Sequence, residues 1–116
     1  MKKTKMLKKN YEFKNVLSKG KYYSGKYIEA FIQKTNQSKQ ENLLGIAISS
    51  KIAKAVQRNH IKRLVRESYQ NYEEYLKEGN RMVFLWKKKV EVEKATFYHI
   101  KKDMKNIFDK ANLIKE

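Results

Sequence analysis

One uninterrupted apolar segment, Met82–Trp86, constrains the fold more than any other part of the chain. It has the length of a β-strand, and polar residues bound it on both sides, ending in a run of three lysines at 87–89. Strands that are apolar at every position are typically buried on both faces of a sheet, whereas half-solvated strands alternate. The segment therefore predicts a central strand in a layered domain of strands and helices.

Three segments have helical periodicity. We expect a short helix over about 10–18, with Asn10 as its N-cap and Gly20 as its end. The longest helix is predicted from Lys51 to about Glu78, with Gly79 as its C-terminal cap. An amphipathic helix is predicted over 95–108.

Two further segments alternate with the period of a strand, one in the second half of 22–34 and one at 44–49. The second of these has a face of large apolar residues and a face made of Gly45, Ala47 and Ser49. Beside a strand that carries Phe31, the small face would leave a shallow trough. Either a ligand or a helix could occupy this trough.

The composition limits the class of protein. The 116 residues suit one domain, 1–116, and Lys plus Arg exceed Asp plus Glu by 28 to 12, for a net charge of +16. So much like charge usually reflects a polyanionic partner, which here means nucleic acid or an anionic membrane surface. Cysteine is absent, and no apolar run approaches the roughly 18 residues of a membrane span. We expect a cytoplasmic nucleic-acid-binding protein of the α+β class, with residues 1–9 as a flexible basic arm.

The predicted long helix carries a basic face. No acidic residue occurs from Asn42 to Arg66. At 100° per residue, one arc of roughly 140° contains the polar residues Arg58, Asn59, Lys62, Arg63 and Arg66. A separate arc contains Ile61, Leu64, Val65, Ser68 and Tyr72. Like charges at i,i+4 cost about 0.2–0.5 kcal/mol per pair, so two interpretations stay open: a solvated basic helix, or a face whose guanidinium groups bind phosphate.

The sequence offers no recognisable catalytic site. His60 and His99 are the only histidines, the carboxylates form no metal-ligand pattern, and there is no glycine-rich phosphate loop. A stand-alone nuclease is therefore disfavoured. A membrane-surface binder is also disfavoured, because the apolar arc of the long helix is needed for the core. The charge pattern alone also fits a non-enzymatic RNA-binding protein, such as a ribosomal protein or an RNA chaperone.

The segment Ala55–Glu67, AVQRNHIKRLVRE, resembles the RNA-binding signature of the bacterial ribonuclease P protein component. In that family a short basic segment, usually Arg-Asn-Arg, precedes a Lys-Arg pair and another Arg. Residues 7–13 resemble the opening helix of the family, and residues 45–50 resemble its strand before the signature. His60 departs from the pattern by replacing the second Arg, and Ala53-Lys54 stands where Gly-Asn is common.

The resemblance implies a fold and an activity. The fold would be an α/β sandwich, a small mixed sheet packed with helices, with a left-handed βαβ crossover against the usual right-handed rule. The protein would be the ribonuclease P subunit that binds the catalytic RNA and the 5′ leader of precursor tRNA, assisting endonucleolytic removal of the leader. Catalysis would belong to the RNA subunit with its bound Mg²⁺. We expect one protein per RNA subunit, and neither catalytic residues nor a metal site on this chain.

The resemblance also implies two sets of binding residues. The residues expected to bind the RNA subunit are Lys54, Arg58, Asn59, Lys62, Arg63 and Arg66. The residues expected to line the leader-binding cleft are Phe13, Phe31, Ala47 and Ser49. From the residues alone, Phe13 and Phe31 are also compatible with ordinary packing between a helix and the sheet.

Overall fold

A computed structural model describes residues 3–35 and 41–115. The strands in these ranges are β1 (Thr4–Met6), β2 (Lys21–Ser24), β3 (Ile28–Lys34), β4 (Asn42–Ala47) and β5 (Asn80–Trp86). The α-helices are α1 (Asn10–Lys19), α2 (Ala55–Gln70) and α3 (Phe97–Lys110), with single 3₁₀ turns at Glu73–Tyr75 and Val92–Lys94. No helix in the described ranges has the length and apolar character that crossing a membrane requires.

The strands form one mixed sheet in the order β1-β4-β5-β3-β2. The predicted central strand is confirmed, since β5 lies in the middle of the sheet and Met82, Val83 and Phe84 are fully buried. β4 is parallel to both β5 and β1, whereas β3 is antiparallel to β5 and to β2. The α+β class is confirmed, and β4, α2 and β5 form a βαβ unit whose left-handed crossover stays a prediction.

The main core lies on the sheet face covered by α2 and α3. Ile28, Leu44 and Phe84 project into it, and Phe108 of α3 meets the rings of Phe84 and Tyr69 edge-on at 6.0 and 6.2 Å between centroids. Each such fully buried side chain stabilises the fold by about 1.5–3 kcal/mol. This packing is the reason that the apolar side of α2 turns inward and its basic side is left for solvent.

The opposite face of the sheet is only partly covered. The strand register places Gly45, Val83 and Phe31 in one row across it, and Ala47, Leu85 and Glu29 in the next. α1 packs over β3 and β5 on this face. A Cβ on Gly45 would lie only 2.6 Å from Cε1 of Phe13, so the missing side chain is what admits α1 so close to the sheet. The trough is therefore filled by a helix at one end and open at the other.

The prediction of a flexible arm at 1–9 is wrong for residues 4–7. Residues Thr4–Met6 pair with β4 as an edge strand, and Leu7 is buried. The Thr4 hydroxyl lies 2.7 Å from the Tyr69 hydroxyl, in a buried contact with the end of α2. Burial raises the pKa of Tyr69 to about 12. Apolar burial and the backbone pairing of β4 hold this segment in place; residues 1–2 lie outside the described ranges.

Both predicted ends of the long helix are also wrong, and so is the predicted N-cap of α1. α2 covers 55–70 rather than 51–78, because the chain turns at Glu73–Tyr75 and Leu76 then forms a β-bridge with Ile114. Gly79 caps no helix; it has φ of 81° in the turn before β5. α1 begins after Lys9, not at an Asn10 cap, and the backbone N–H of Lys9 donates to Glu12 Oε1 at 3.0 Å.

The other predicted segments differ mainly at their ends. The strand expected at 44–49 is β4, which begins at Asn42 and ends at Ala47. The helix expected over 95–108 is α3, where the Thr96 hydroxyl accepts a hydrogen bond from the backbone N–H of His99 at 3.1 Å. The polar residues of 35–42 predict a loop; 36–40 lie outside the described residues, and Asn42 already belongs to β4.

A buried carboxylate holds the turn between β2 and β3. Asp103 of α3 accepts hydrogen bonds from the backbone N–H groups of Lys26, Tyr27 and Ile28 at 3.1, 2.6 and 3.0 Å. A Cβ on Gly25 would lie 2.6 Å from the Asp103 carboxyl carbon, so glycine is required there. The bonds fix the start of β3, and with it the position of the β3 side chains on the open face.

Candidate nucleic-acid interface

The basic residues of α2 lie on its solvent side. Asn59, Arg63 and Arg66 are exposed, and Arg58 and Lys62 are half-buried. The buried residues of the helix are Ile61, Leu64, Val65, Ser68 and Tyr69. The predicted separation of a basic face from an apolar face is confirmed, except that Tyr72 lies beyond the end of the helix and Tyr69 joins the core. We call Lys54, Arg58, Asn59, Lys62, Arg63 and Arg66 the basic face.

Contacts within the protein leave most of this charge available. Arg58 folds back so that Nη1 donates to the Ala53 carbonyl at 2.8 Å, which fixes its direction at the start of the helix. Arg63 Nε lies 3.8 Å from Glu67 Oε1, with both side chains more than half exposed. An exposed pair of this kind contributes less than about 1 kcal/mol and exchanges readily for a phosphate. The guanidinium group of Arg63 is therefore accessible to a polyanion.

The start of α2 adds to the positive potential. The first turn of the helix has no acidic residue, and Lys54 immediately precedes it. The backbone N–H groups of a first helical turn carry partial positive charge, which acidic side chains usually balance. Here the residue that caps the first turn is the neutral Gln57, whose Oε1 accepts a hydrogen bond from the Lys54 N–H at 3.0 Å. This end of α2 is therefore suited to binding an anion.

The four residues predicted for a cleft lie on or beside the open face of the sheet. Phe13, Phe31 and Ala47 are half-buried around a small cluster formed by Leu7, Val16 and Val83. Ser49 is exposed, beyond the end of β4. The two aromatic side chains thus pack against the fold without being fully buried, and their role in binding a leader stays a prediction.

The open face also contains residues that the sequence reasoning did not assign to a site. The Tyr22 ring is 5.2 Å from that of Phe31, and its hydroxyl donates to Glu29 Oε2 at 2.5 Å. That hydrogen bond raises the pKa of Tyr22. Glu29 could have been found from the sequence, because residues 29 and 31 share one face of any strand with a period of two.

The lysine run after β5 divides into two kinds of residue. Lys87 is structural, since its Nζ donates to Ser24 Oγ at 2.8 Å and to the Gly25 carbonyl at 2.9 Å. Lys88 and Lys89 are exposed and line a cavity of about 540 Å³ together with Lys54 and Gln57. The cavity places the loop after β5 beside the start of α2, so the basic surface continues from the helix onto this loop.

The chemistry available to this surface is charge, hydrogen bonding and ring stacking. Within residues 3–35 and 41–115, no three carboxylate or histidine side chains lie close enough together to hold a metal ion. Exposed cations beside half-exposed aromatic rings are the features that bind single-stranded nucleic acid without a fixed sequence. The interface is therefore suited to binding a polynucleotide.

Comparisons with known proteins identify the family of the chain. A family model described as Ribonuclease P matches residues 1–112. The ribonuclease P protein component of Clostridioides difficile is 37% identical, covering 95% of this chain and 94% of that protein. The component of Dictyoglomus turgidum is 35% identical, covering 98% and 94%.

Solved structures share the fold. The ribonuclease P protein of Thermotoga maritima matches with a TM-score of 0.78 at 25% identity, covering 90% of this chain and 96% of that one. The Staphylococcus aureus protein matches with a TM-score of 0.79 at 22% identity, covering 95% and 97%. The sheet has this order, with a basic helix on one side and a half-covered face on the other, and the chain aligns with these relatives over nearly its full length. This protein therefore belongs to the ribonuclease P protein family.

Proposed function

We propose that this subunit of an endoribonuclease binds the RNA subunit of ribonuclease P through the basic face. The observation that carries the proposal is that the basic face is turned to solvent while the opposite side of α2 is buried in the core. Guanidinium groups bind phosphate oxygens in pairs, so Arg58, Arg63 and Arg66 suit a folded RNA backbone. We also propose one protein for each RNA subunit, acting in the cytoplasm.

The open face would bind the single-stranded 5′ leader of precursor tRNA. Phe13 and Phe31 are only half-buried, and the small side chain of Ala47 leaves room above the neighbouring row of the sheet. Stacking of a base on an aromatic side chain contributes about 1–3 kcal/mol and tolerates any base. The protein would thereby favour precursor over mature tRNA, which has no leader.

Hydrolysis would be carried by the RNA subunit. The described residues provide no carboxylate cluster that fits Mg²⁺, so we derive no metal site on this chain. Magnesium ions bound to RNA phosphates would supply the activated water and stabilise the leaving oxygen. The protein residues would neutralise phosphate charge and position the substrate, which lowers the magnesium concentration that the RNA needs.

A processing assay tests this function. The protein is added to a bacterial ribonuclease P RNA at a magnesium concentration too low for the RNA alone, and 5′ ends are mapped. We expect mature tRNA 5′ ends only when both subunits are present. Cleavage at that site by the protein without RNA, at any magnesium concentration, would refute the division of labour. Failure to stimulate the RNA would refute the proposed function itself.

Replacing Phe13 by alanine should weaken leader binding. We expect affinity of the assembled enzyme for precursor tRNA to fall about tenfold, because one stacking contact is lost, and affinity for mature tRNA to change less than about twofold. Phe13→Leu retains most of the packing against Gly45 and Val16 but removes the aromatic face. It should therefore show the same selective loss of affinity for precursor tRNA as Phe13→Ala, without a loss of stability. Binding of both tRNAs is measured by filter retention.

Tyr11 provides the control on the same helix. Its ring is 67% exposed and lies outside the packed cluster, so Tyr11→Ala should leave the ratio of the two affinities unchanged. Equal losses for precursor and mature tRNA in Phe13→Leu would contradict the assignment of the leader to this face.

A further inference from the structure

Glu29 is an acidic residue in surroundings that are otherwise basic. It lies on the open face in the same row as Ala47 and Leu85. A cavity of about 340 Å³ opens beside it, lined by Lys26, Glu29, Lys87, Lys88, Lys89 and Val90. A carboxylate at this place repels phosphate, which is the group that the rest of the surface attracts. Glu29 is therefore unsuited to binding the nucleic-acid backbone.

The carboxylate is held in position but is not neutralised. Its Oε2 accepts from the Tyr22 hydroxyl at 2.5 Å. Among the described residues, Glu29 takes part in none of the ion pairs within 4.0 Å, and Oε1 has no hydrogen-bond partner. Glu29 is half-buried, so Oε1 can still be reached from the cavity. One oxygen is thus positioned and the other is available to a ligand.

An aromatic pair adjoins this free acceptor. The Tyr22 ring is 48% exposed and is tilted by 54° to Phe31, at 5.2 Å between centroids. The hydrogen bond that orients Glu29 comes from the same tyrosine. A planar group that stacks on the exposed Tyr22 ring, with Phe31 at its side, would therefore place its edge near the Glu29 carboxylate.

We propose that Tyr22, Phe31 and Glu29 form a base-reading site that prefers leader nucleotides with an amino group on the Watson–Crick edge over uracil. This inference rests on the proposed function and names the specificity of its leader-binding face. Carboxylates accept hydrogen bonds from the amino group of cytosine, and single-stranded bases are recognised on their Watson–Crick edges. Uracil presents a carbonyl oxygen where cytosine has its amino group, and its single donor, N3–H, lies between two carbonyl oxygens that a carboxylate repels. The negative charge also steers phosphates toward Lys26, Lys88 and Lys89, so that the base turns inward.

Competition between two precursor tRNAs tests the site. The substrates carry leaders made only of cytidine or only of uridine, and the assembled enzyme processes both in one reaction at limiting magnesium. We expect Glu29→Gln to lower the ratio of kcat/KM for the cytidine leader over the uridine leader about fivefold relative to the wild type, the effect of about one hydrogen bond. Comparing enzymes that share one RNA subunit cancels any preference of the RNA itself. An unchanged ratio would overturn the inference.

Two further variants separate base reading from charge. Glu74→Gln removes the same charge from an exposed carboxylate in the 3₁₀ turn after α2 and should leave the ratio unchanged. A shift in Glu74→Gln equal to that in Glu29→Gln would show a general charge effect and contradict the site. Tyr22→Phe keeps the ring and removes the hydroxyl, so we expect a smaller fall in the ratio. If the wild-type enzyme bound precursor and mature tRNA equally, the proposed function would fail, whatever the ratio.

Discussion

Replacing Arg63 and Arg66 together by alanine is expected to weaken binding to the ribonuclease P RNA about 100-fold at moderate salt. Both side chains are exposed on the basic face, and neither is buried in the core. Each charge-assisted contact to phosphate contributes about 1.5–3 kcal/mol, and each contact releases counterions from the RNA. The slope of log affinity against log salt should therefore become shallower by about two. Titrations at four or five salt concentrations measure both quantities.

The matched control removes the same charge from another helix. Lys102 and Lys105 are exposed on α3, outside the basic face. Their replacement by alanine lowers the net charge by the same two units, and we expect less than about a threefold loss of affinity, with a smaller change of slope. If both double variants lost affinity and slope equally, the RNA would respond to net charge alone. Specific binding by the basic face would then be refuted.

Asp103→Ala should destabilise the protein more than any other single change considered. The substitution leaves the backbone N–H groups of Lys26, Tyr27 and Ile28 without their acceptor at the start of β3. Unpaired buried donors cost about 1–3 kcal/mol each, and partial access of water reduces the sum. We expect the free energy of unfolding to fall by about 3 kcal/mol and Tm to fall by roughly 10 °C. Urea and thermal unfolding at fixed ionic strength measure both.

Asp109 on the same helix is the control for Asp103. It forms an exposed ion pair with Lys105 at 3.4 Å, of a kind that contributes at most about 1 kcal/mol. Asp109→Ala should therefore change stability by less than about 0.5 kcal/mol. The stability of Asp103→Asn should lie between that of the wild type and that of Asp103→Ala. The amide oxygen can accept a hydrogen bond, but the amino group would point at the remaining backbone N–H donors. Equal stability of the Asp103 and Asp109 alanine variants would show that the turn does not depend on the buried carboxylate.

Local patterns were sufficient for the features that depend on neighbours in sequence. Met82–Trp86 is apolar throughout, and the structure makes it the central strand. Ile61, Leu64 and Val65 recur on one side of a helix, so the basic face had to lie on the other side. The periods of 3.6 and 2 are properties of the backbone itself, and they survive any tertiary arrangement.

Patterns were insufficient where an element ends or where a polar residue finds a distant partner. α2 stops at Gln70 because Leu76 pairs with Ile114, which follows α3 and is distant in sequence. The strand at Thr4–Met6 forms because β4 offers a free edge and Tyr69 offers a buried hydroxyl. Neither partner can be identified from the residues near the N-terminus, whose lysines alone favour a solvated arm.

The candidate site likewise has one part that follows from the sequence and one part that depends on tertiary packing. The basic face of α2 follows from residue spacing, because one helix contains all of it except Lys54, which directly precedes the helix. The open face combines Phe13 of α1, Phe31 of β3 and Ala47 of β4, and the acceptor at Glu29 is oriented by a tyrosine on β2. Sequence periodicity determined which side of each element is polar. Only tertiary packing decided which of those sides meet, because contacts between strands and helices far apart in the chain depend on the burial of the whole core.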